Sequence, residues 1–201
     1  MRTRTWINPI TLIFVALLGI VIGRHVGPGS LWAESTGIPD DKDDAELTRL
    51  FQEDQADRTT KDGKPIDWKT VEPRDRAREK RVKELYATNE LHTGADYYHV
   101  AMVLQHASAP EDYLLAHELC VVAISKGHED AKWLAAASED RFLMNIGRPQ
   151  RFATQFRSVG NSPMRLYETD PGVTDELRRA LNVPSLAKAK EREAEMNSKK
   201  N

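Results

Sequence analysis

The sequence predicts an all-α fold, an antiparallel helical array built of hairpin-like pairs behind one N-terminal transmembrane or signal segment. Three observations carry this reading. From Asp44 onward apolar residues recur at helical spacing, as in Leu47, Leu50 and Phe51. Helix stops punctuate the chain closely, with Gly127 and Gly147 each placed just past a helical run and Pro149 beyond the second. Strand signals are weak throughout, the best being a short extended piece around Phe152–Phe156.

The opening, MRTRTWINPITLIFVALLGIVIG, places Arg2 and Arg4 before an apolar run from Ile10 to Gly23. That is the pattern of a segment entering a membrane with its N-terminus inside, which leaves the rest of the chain periplasmic or extracellular. A spanning helix needs about 20 residues. Trp6 to Gly23 supplies 18, while the strictly apolar part of 14 also suits the core of a cleavable signal peptide. Residues 1–24 are therefore read as signal anchor or signal peptide. Residues 25–44, rich in Gly, Pro, Ser and acid, read as a flexible tether. Residues 45–186 are the globular domain and 187–201 a polar helical tail.

Within the domain, DDAELTRLFQEDQADR is an amphipathic helix with acid in its first turn. After the turn KDGKPIDW, VEPRDRAREKRVKELY is a charged helix that packs through Val82, Leu85 and Tyr86 and leaves its basic run solvated. The next helix, Asp96 to Ala107, is apolar nearly all round. Ser108 with Glu111 has the spacing of a capping box that opens another, ending at Gly127. A fifth runs from Glu129 to Ile146, its WLAAAS segment small enough to admit a close neighbour. Three such helices with short connections predict antiparallel packing around a buried central one. Their spacing resembles one and a half units of a tetratricopeptide or Sel1-like array, without a second copy at a fixed period. Asp170-Pro171-Gly172 then marks a turn, TDELRRALNV a short helix, and LAKAKEREAEMNSKKN the tail.

Composition narrows the function classes. The chain has 201 residues, enough for one domain with a sizeable core, and a net charge of −2. Residues 1–33 hold Arg2, Arg4, Arg24 and no acid. Of the 29 basic and 31 acidic side chains, residues 34–201 therefore keep 26 and 31, a charge of −5. That argues against nucleic acid as a partner, because such binding rests on a basic footprint. The single Cys120, in the run LCVVAI, reads as a buried inert thiol. Gly-rich phosphate loops, G-x-S-x-G, C-x-x-C and H-E-x-x-H are absent, and no cofactor is expected.

The chemistry is carried by polar residues inside apolar helices: Gln105, His106, His117, Asp140 and Arg141. Burying such groups unpaired costs a few kcal/mol each, roughly. His92, His99 and His106 recur every seven residues, but seven residues rise about 10 Å, too far for one tetrahedral metal; no metal site is expected. His106 ends an apolar helix, where an imidazole also complements free carbonyls, and His117 suits either a satisfied core position or a general base. From Arg141 to Tyr167 there are five arginines (Arg141, Arg148, Arg151, Arg157, Arg165) and no acid. With Gln150 and Gln155 they form either an anion-recognition surface or a set docked on Glu53, Asp54 and Asp57 of the first helix.

These same residues carry a family resemblance. Asp54-Gln55-Ala56-Asp57-Arg58, Gln105-His106, Asp140-Arg141, the segment Gly147 through Gln155 and the Val183–Leu186 stretch resemble the D-Q-x-D-R, Q-H, D-R and G-x-x-Q…T-Q elements of a bacterial domain of unknown function. The likeness spans roughly Leu47 to Leu186, and Ala153 stands where members of that family tend to carry Gly. It implies that these polar groups belong together and supplies no activity.

Two functions with different site geometries are left, besides a purely structural network. A helical binding module would take an anionic small molecule, peptide or partner protein through Arg58, Gln105, Arg141, Arg148, Gln150, Arg151 and Gln155. An envelope hydrolase or transferase would use His106 or His117 as base with Asp57 or Asp140 orienting it, and would gather Asp57, Arg58, His106, Asp140 and Gln155 in one concavity.

Overall fold

Side chains cap the starts of three of the helices, and the computed structural model describes residues 42–59, 66–160 and 162–198. The expected anchor or signal segment and nearly all of the tether lie outside the described residues. Helix α1 (Ala45–Arg58) opens where the Asp44 carboxylate accepts the Leu47 amide at 2.7 Å, and it buries Leu47 and Leu50. Helix α2 (Trp68–Ala87) buries Val71, Val82 and Leu85, and with them the guanidinium of Arg78. Tyr86, expected in that seam, is instead 43 % exposed. Arg78 turns inward to Asp57 of α1 and Asp75 of its own helix, so the basic run of α2 is not simply a solvated face.

Helix α3 (Gly94–Leu104) starts two residues before the expected Asp96 and stops three short of Ala107. Thr93 and Asp96 make a reciprocal capping box there. The Asp96 carboxylate, fully buried, also accepts the amides of His92 at 3.0 Å and Asp44 at 2.8 Å, tying the start of α1 to the start of α3. A Cβ on Gly94 would stand 3.0 Å from the His128 Cβ, so a side chain there would push α3 off the α4–α5 turn. Helix α4 (Pro110–Ser125) does not use the expected Ser108–Glu111 box. Ala109 is its cap, without a side-chain bond, and Pro110 opens it with a preset φ.

Helix α5 (Ala131–Asn145) buries Ala131, Leu134, Ala135, Ala136, Ala137 and Ser138, and α4 lies between α3 and α5. The helices pack antiparallel, seven of them among the described residues. The middle helix is not the buried one, however: Val121 and Leu114 of α4 face outward while Val100, Ala101 and Leu104 of α3 are fully enclosed. One core joins α1 through α5, and a smaller one gathers Ala136, Phe152, Val173 and Val183.

The chain then forms a short antiparallel pair, β1 (Phe156–Arg157) with β2 (Arg165–Leu166). This replaces the extended piece expected over Phe152–Phe156. Helices α6 (Asp175–Ala180) and α7 (Leu186–Ser198) complete the fold. The polar tail packs back on β2, where Glu193 bonds Arg165 and the Leu166 amide, and Asn197 bonds both backbone groups of Met164. No helix among the described residues is long and apolar enough to cross a membrane.

Candidate functional site

Polar residues that the sequence groups together separate into two networks. The first lies where the last turn of α1 meets α2 and the end of α3. Asp54, fully buried, accepts Arg58 Nη1 at 2.9 Å, Gln55 Nε2 at 2.8 Å and His106 Nδ1 at 3.1 Å. Asp75 holds Arg58 at 2.8 Å and Arg78 at 2.6 Å, and Asp57 holds Arg74 at 2.7 Å and Arg78 at 2.9 Å. Burial works against the charge of Asp57, but the bonds from Arg78 and Arg74 outweigh it and hold its carboxyl below the usual range. Burial likewise opposes Arg78, and the bonds to Asp75 and Asp57 outweigh it.

His106 Nδ1 faces the Asp54 carboxylate that Arg58 also holds, and a ring N–H at that position donates to it. Nε2 has no hydrogen-bond partner among the described residues and is not enclosed. His106 lines an open cleft of about 510 Å³ with Arg58, Ile66, Trp68, Glu72, Asp75 and Arg141.

Arg141 differs from the other guanidiniums. Its Nη1 donates to the Gln105 carbonyl at 3.0 Å, its Nε is buried without a partner like those of Arg78 and Arg178, and, unlike Arg58, Arg74 and Arg78, it pairs with no carboxylate among the described residues. Burial lowers its pKa, and Arg58 nearby adds to that against the opposing influence of Tyr113. A cation brought into a protein without a counter-charge is unfavourable.

The second network closes the loop after α5. Asp140, fully buried, receives the amides of Arg151 at 2.7 Å, Phe152 at 2.9 Å and Thr154 at 3.0 Å, and the Thr154 hydroxyl at 2.7 Å. Burial still pushes its carboxyl above the usual range, against these four donors. Gln150 accepts the Gln155 amide at 2.8 Å and donates to the carbonyls of Gln155 and Tyr167, copying the pairing of a strand. Gln155 donates to Ala137 O and Thr154 Oγ1. Ala153, at the tip, has φ +65°, a left-handed conformation that glycine adopts without strain.

Arg58, His106 and Arg141 therefore come together, with the backbone of Gln105 under Arg141. Asp140, Gln150 and Gln155 do not join them, and neither Asp57 nor Asp140 orients a histidine. Arg151 pairs with Glu139 and Asp170, Arg165 with Glu193, and Arg157 lies over the Tyr167 ring, so the expected arginine surface is largely paired within the domain. These arginines do not dock on α1, whose Asp54 and Asp57 are taken by Arg58, Arg74 and Arg78. Arg148 is exposed. His117 is half-buried and its Nδ1 bonds the Ala135 carbonyl at 2.9 Å, a backbone contact within the helix packing. The Cys120 thiol is buried and pushed up to about 12.

Sequence reasoning passed over Asp54, Asp75, Arg78 and Trp68 as site residues. The signal was the repeated acid–base spacing, Asp54-x-x-Asp57-Arg58 on one helix against Arg74-Asp75-x-x-Arg78 on the next. Among the described residues no group of three or more His, Cys, Asp or Glu is placed to hold a metal ion. Comparison of the chain with family models, curated proteins and solved structures returned no match.

Proposed function

We propose that the chain is a helical binding module, held outside the cytoplasm by its N-terminal segment, that takes the anionic group of a small molecule, peptide or partner protein in the cleft of Arg58, His106 and Arg141. The observation that carries this reading is Arg141, a largely enclosed guanidinium with a backbone carbonyl but no carboxylate partner among the described residues. The resemblance to the bacterial domain of unknown function supports it, because the D-Q-x-D-R, Q-H and D-R elements supply Asp54, Arg58, His106 and Arg141 of one cleft. The G-x-x-Q…T-Q element serves the loop beside it instead. The hairpin-like run of α3, α4 and α5 is the scaffold, as in a helical-repeat module. Titration of the full-length chain with simple anions tests the reading: stabilisation of wild type but not of Arg141→Gln supports it, and equal behaviour of the two sinks it.

One observation favours a second reading. The Asp54–His106 contact of 3.1 Å fixes an imidazole whose free Nε2 reaches the cleft, the arrangement of a general base. An envelope hydrolase or transferase would then use His106 as base, with Asp54 rather than Asp57 or Asp140 as its orienting partner. Hydrolysis of carboxylic and phosphoric esters by wild type, lost in His106→Gln while anion binding persists, would establish it; equal rates in both proteins would remove it.

A further inference from the structure

Resting on the anion-binding reading of the same cleft, we infer that its ligand is a monocarboxylate borne on a flat apolar body, such as an aromatic acid, rather than a phosphate. The charge count comes first. Asp54, Asp57 and Asp75 are engaged by Arg58, Arg74 and Arg78, which leaves Arg141 as the one guanidinium of this cluster without a carboxylate partner among the described residues. One negative charge balances it. A phosphate ester carries about −1.5 to −2 at neutral pH and would leave excess negative charge beside Asp54 and Asp75. Glu72, which leans toward Arg76 at 4.0 Å on the cleft wall, sharpens that bias.

The donor points the same way. A guanidinium is planar and matches the two oxygens of a carboxylate side by side. Arg141 is held in place through Gln105 O rather than through an acid, so its fork is not already taken by a carboxylate of the described residues.

The apolar wall supplies the body. Trp68, 52 % exposed at the first turn of α2, and Ile66 line a cleft whose other walls are polar or charged. A cleft of about 510 Å³ is far larger than an acetate or a phosphate ion, and such ions would leave the indole face wet. A ring carried on a carboxylate covers it, and aromatic pairs add attraction beyond the area buried.

The test uses the full-length chain in mild detergent, with ligand-observed NMR titrations of benzoate, acetate and inorganic phosphate. Arg141→Gln serves as the background for micelle binding, and the melting curve of each variant checks its fold. The inference expects benzoate to bind at least tenfold more tightly than acetate or phosphate. Trp68→Ala, an exposed substitution, should lower benzoate affinity about tenfold and leave acetate unchanged. Phosphate binding as tightly as benzoate, or benzoate indifferent to Trp68→Ala, overturns the inference and leaves the anion-binding reading standing. Absence of binding by all three anions overturns both.

Discussion

Asp54 and Asp140 are both fully buried aspartates near the ends of helices, yet their surroundings differ in kind. Asp140 is met only by backbone amides and one hydroxyl, all from the loop it closes. Asp54 is met by the side chains of Arg58, Gln55 and His106, and two of those also line an open cleft. Neutral donors satisfy a carboxylate and end the matter; the loop is a folding device. At Asp54, by contrast, Arg58 and His106 hold the carboxylate on one side and line a cleft on the other. The spare charge of Arg141 falls on the open side of that division.

Substitutions at the two aspartates' neighbourhoods break or sharpen this contrast. The largest effect belongs to Asp140→Ala, which strands three amides and a hydroxyl and should lower stability by about 3 kcal/mol in chemical denaturation. A loss under about 1 kcal/mol would mean that the loop is held by other contacts. Arg141→Ala should change stability by less than about 1 kcal/mol, since a half-buried cation without a carboxylate partner is removed together with one hydrogen bond. A loss comparable to that of Asp140→Ala would place Arg141 among the structural groups.

Ala153→Gly should stabilise the chain by roughly 0.5–1 kcal/mol, because glycine accepts φ +65° without the Cβ penalty and the Asp140 bonds remain. A loss of stability would show that the alanine methyl, only 4 % exposed as a residue, packs too well to remove. The smallest effect lies outside both regions. Burial lowers the pKa of His99, with Asp43 and Asp96 pulling the other way and His128 adding to the lowering. The unfolded chain therefore takes up the proton first. Its contribution is complete above the ordinary histidine value of about 6.5 and is lost as pH falls below it. His99→Phe should flatten stability against pH in that range while leaving anion binding alone.

Much of the fold was legible because helix signals are local. Leu47 and Leu50 face the core as their spacing implies, and Gly127 and Gly147 take the left-handed conformation that ends α4 and α5. The Thr93–Asp96 box was missed because the pattern sought a Glu or Gln at its third position, whereas Asp96 fills it with a shorter arm. Ser108–Glu111 matched the pattern and failed because Pro110 already fixes the entry to α4. The site was legible only in its members. Asp140 and Arg141 are neighbours in sequence, but a step of about 100° around a helix sends them into different networks. The pairing of Asp54 with His106, 52 residues apart, depends on how α1 packs on α3, which no local pattern encodes. Trp68 reads in the sequence as part of a turn and becomes a cleft wall because α2 packs on α3 and shares a cleft with His106.

The central claim is that the cleft of Arg58, His106 and Arg141 is kept for an anion while the Asp140 loop is kept for the fold. The most direct measurement is the melting temperature of wild type, Arg141→Ala and Asp140→Ala across a series of benzoate concentrations. The account predicts a rise with benzoate in wild type, following mass action, no rise in Arg141→Ala despite a near-normal starting point, and a low starting point with the rise preserved in Asp140→Ala. A starting point for Arg141→Ala as low as that for Asp140→Ala, with no rise in any of the three proteins, would contradict it and make both clusters parts of one structural network.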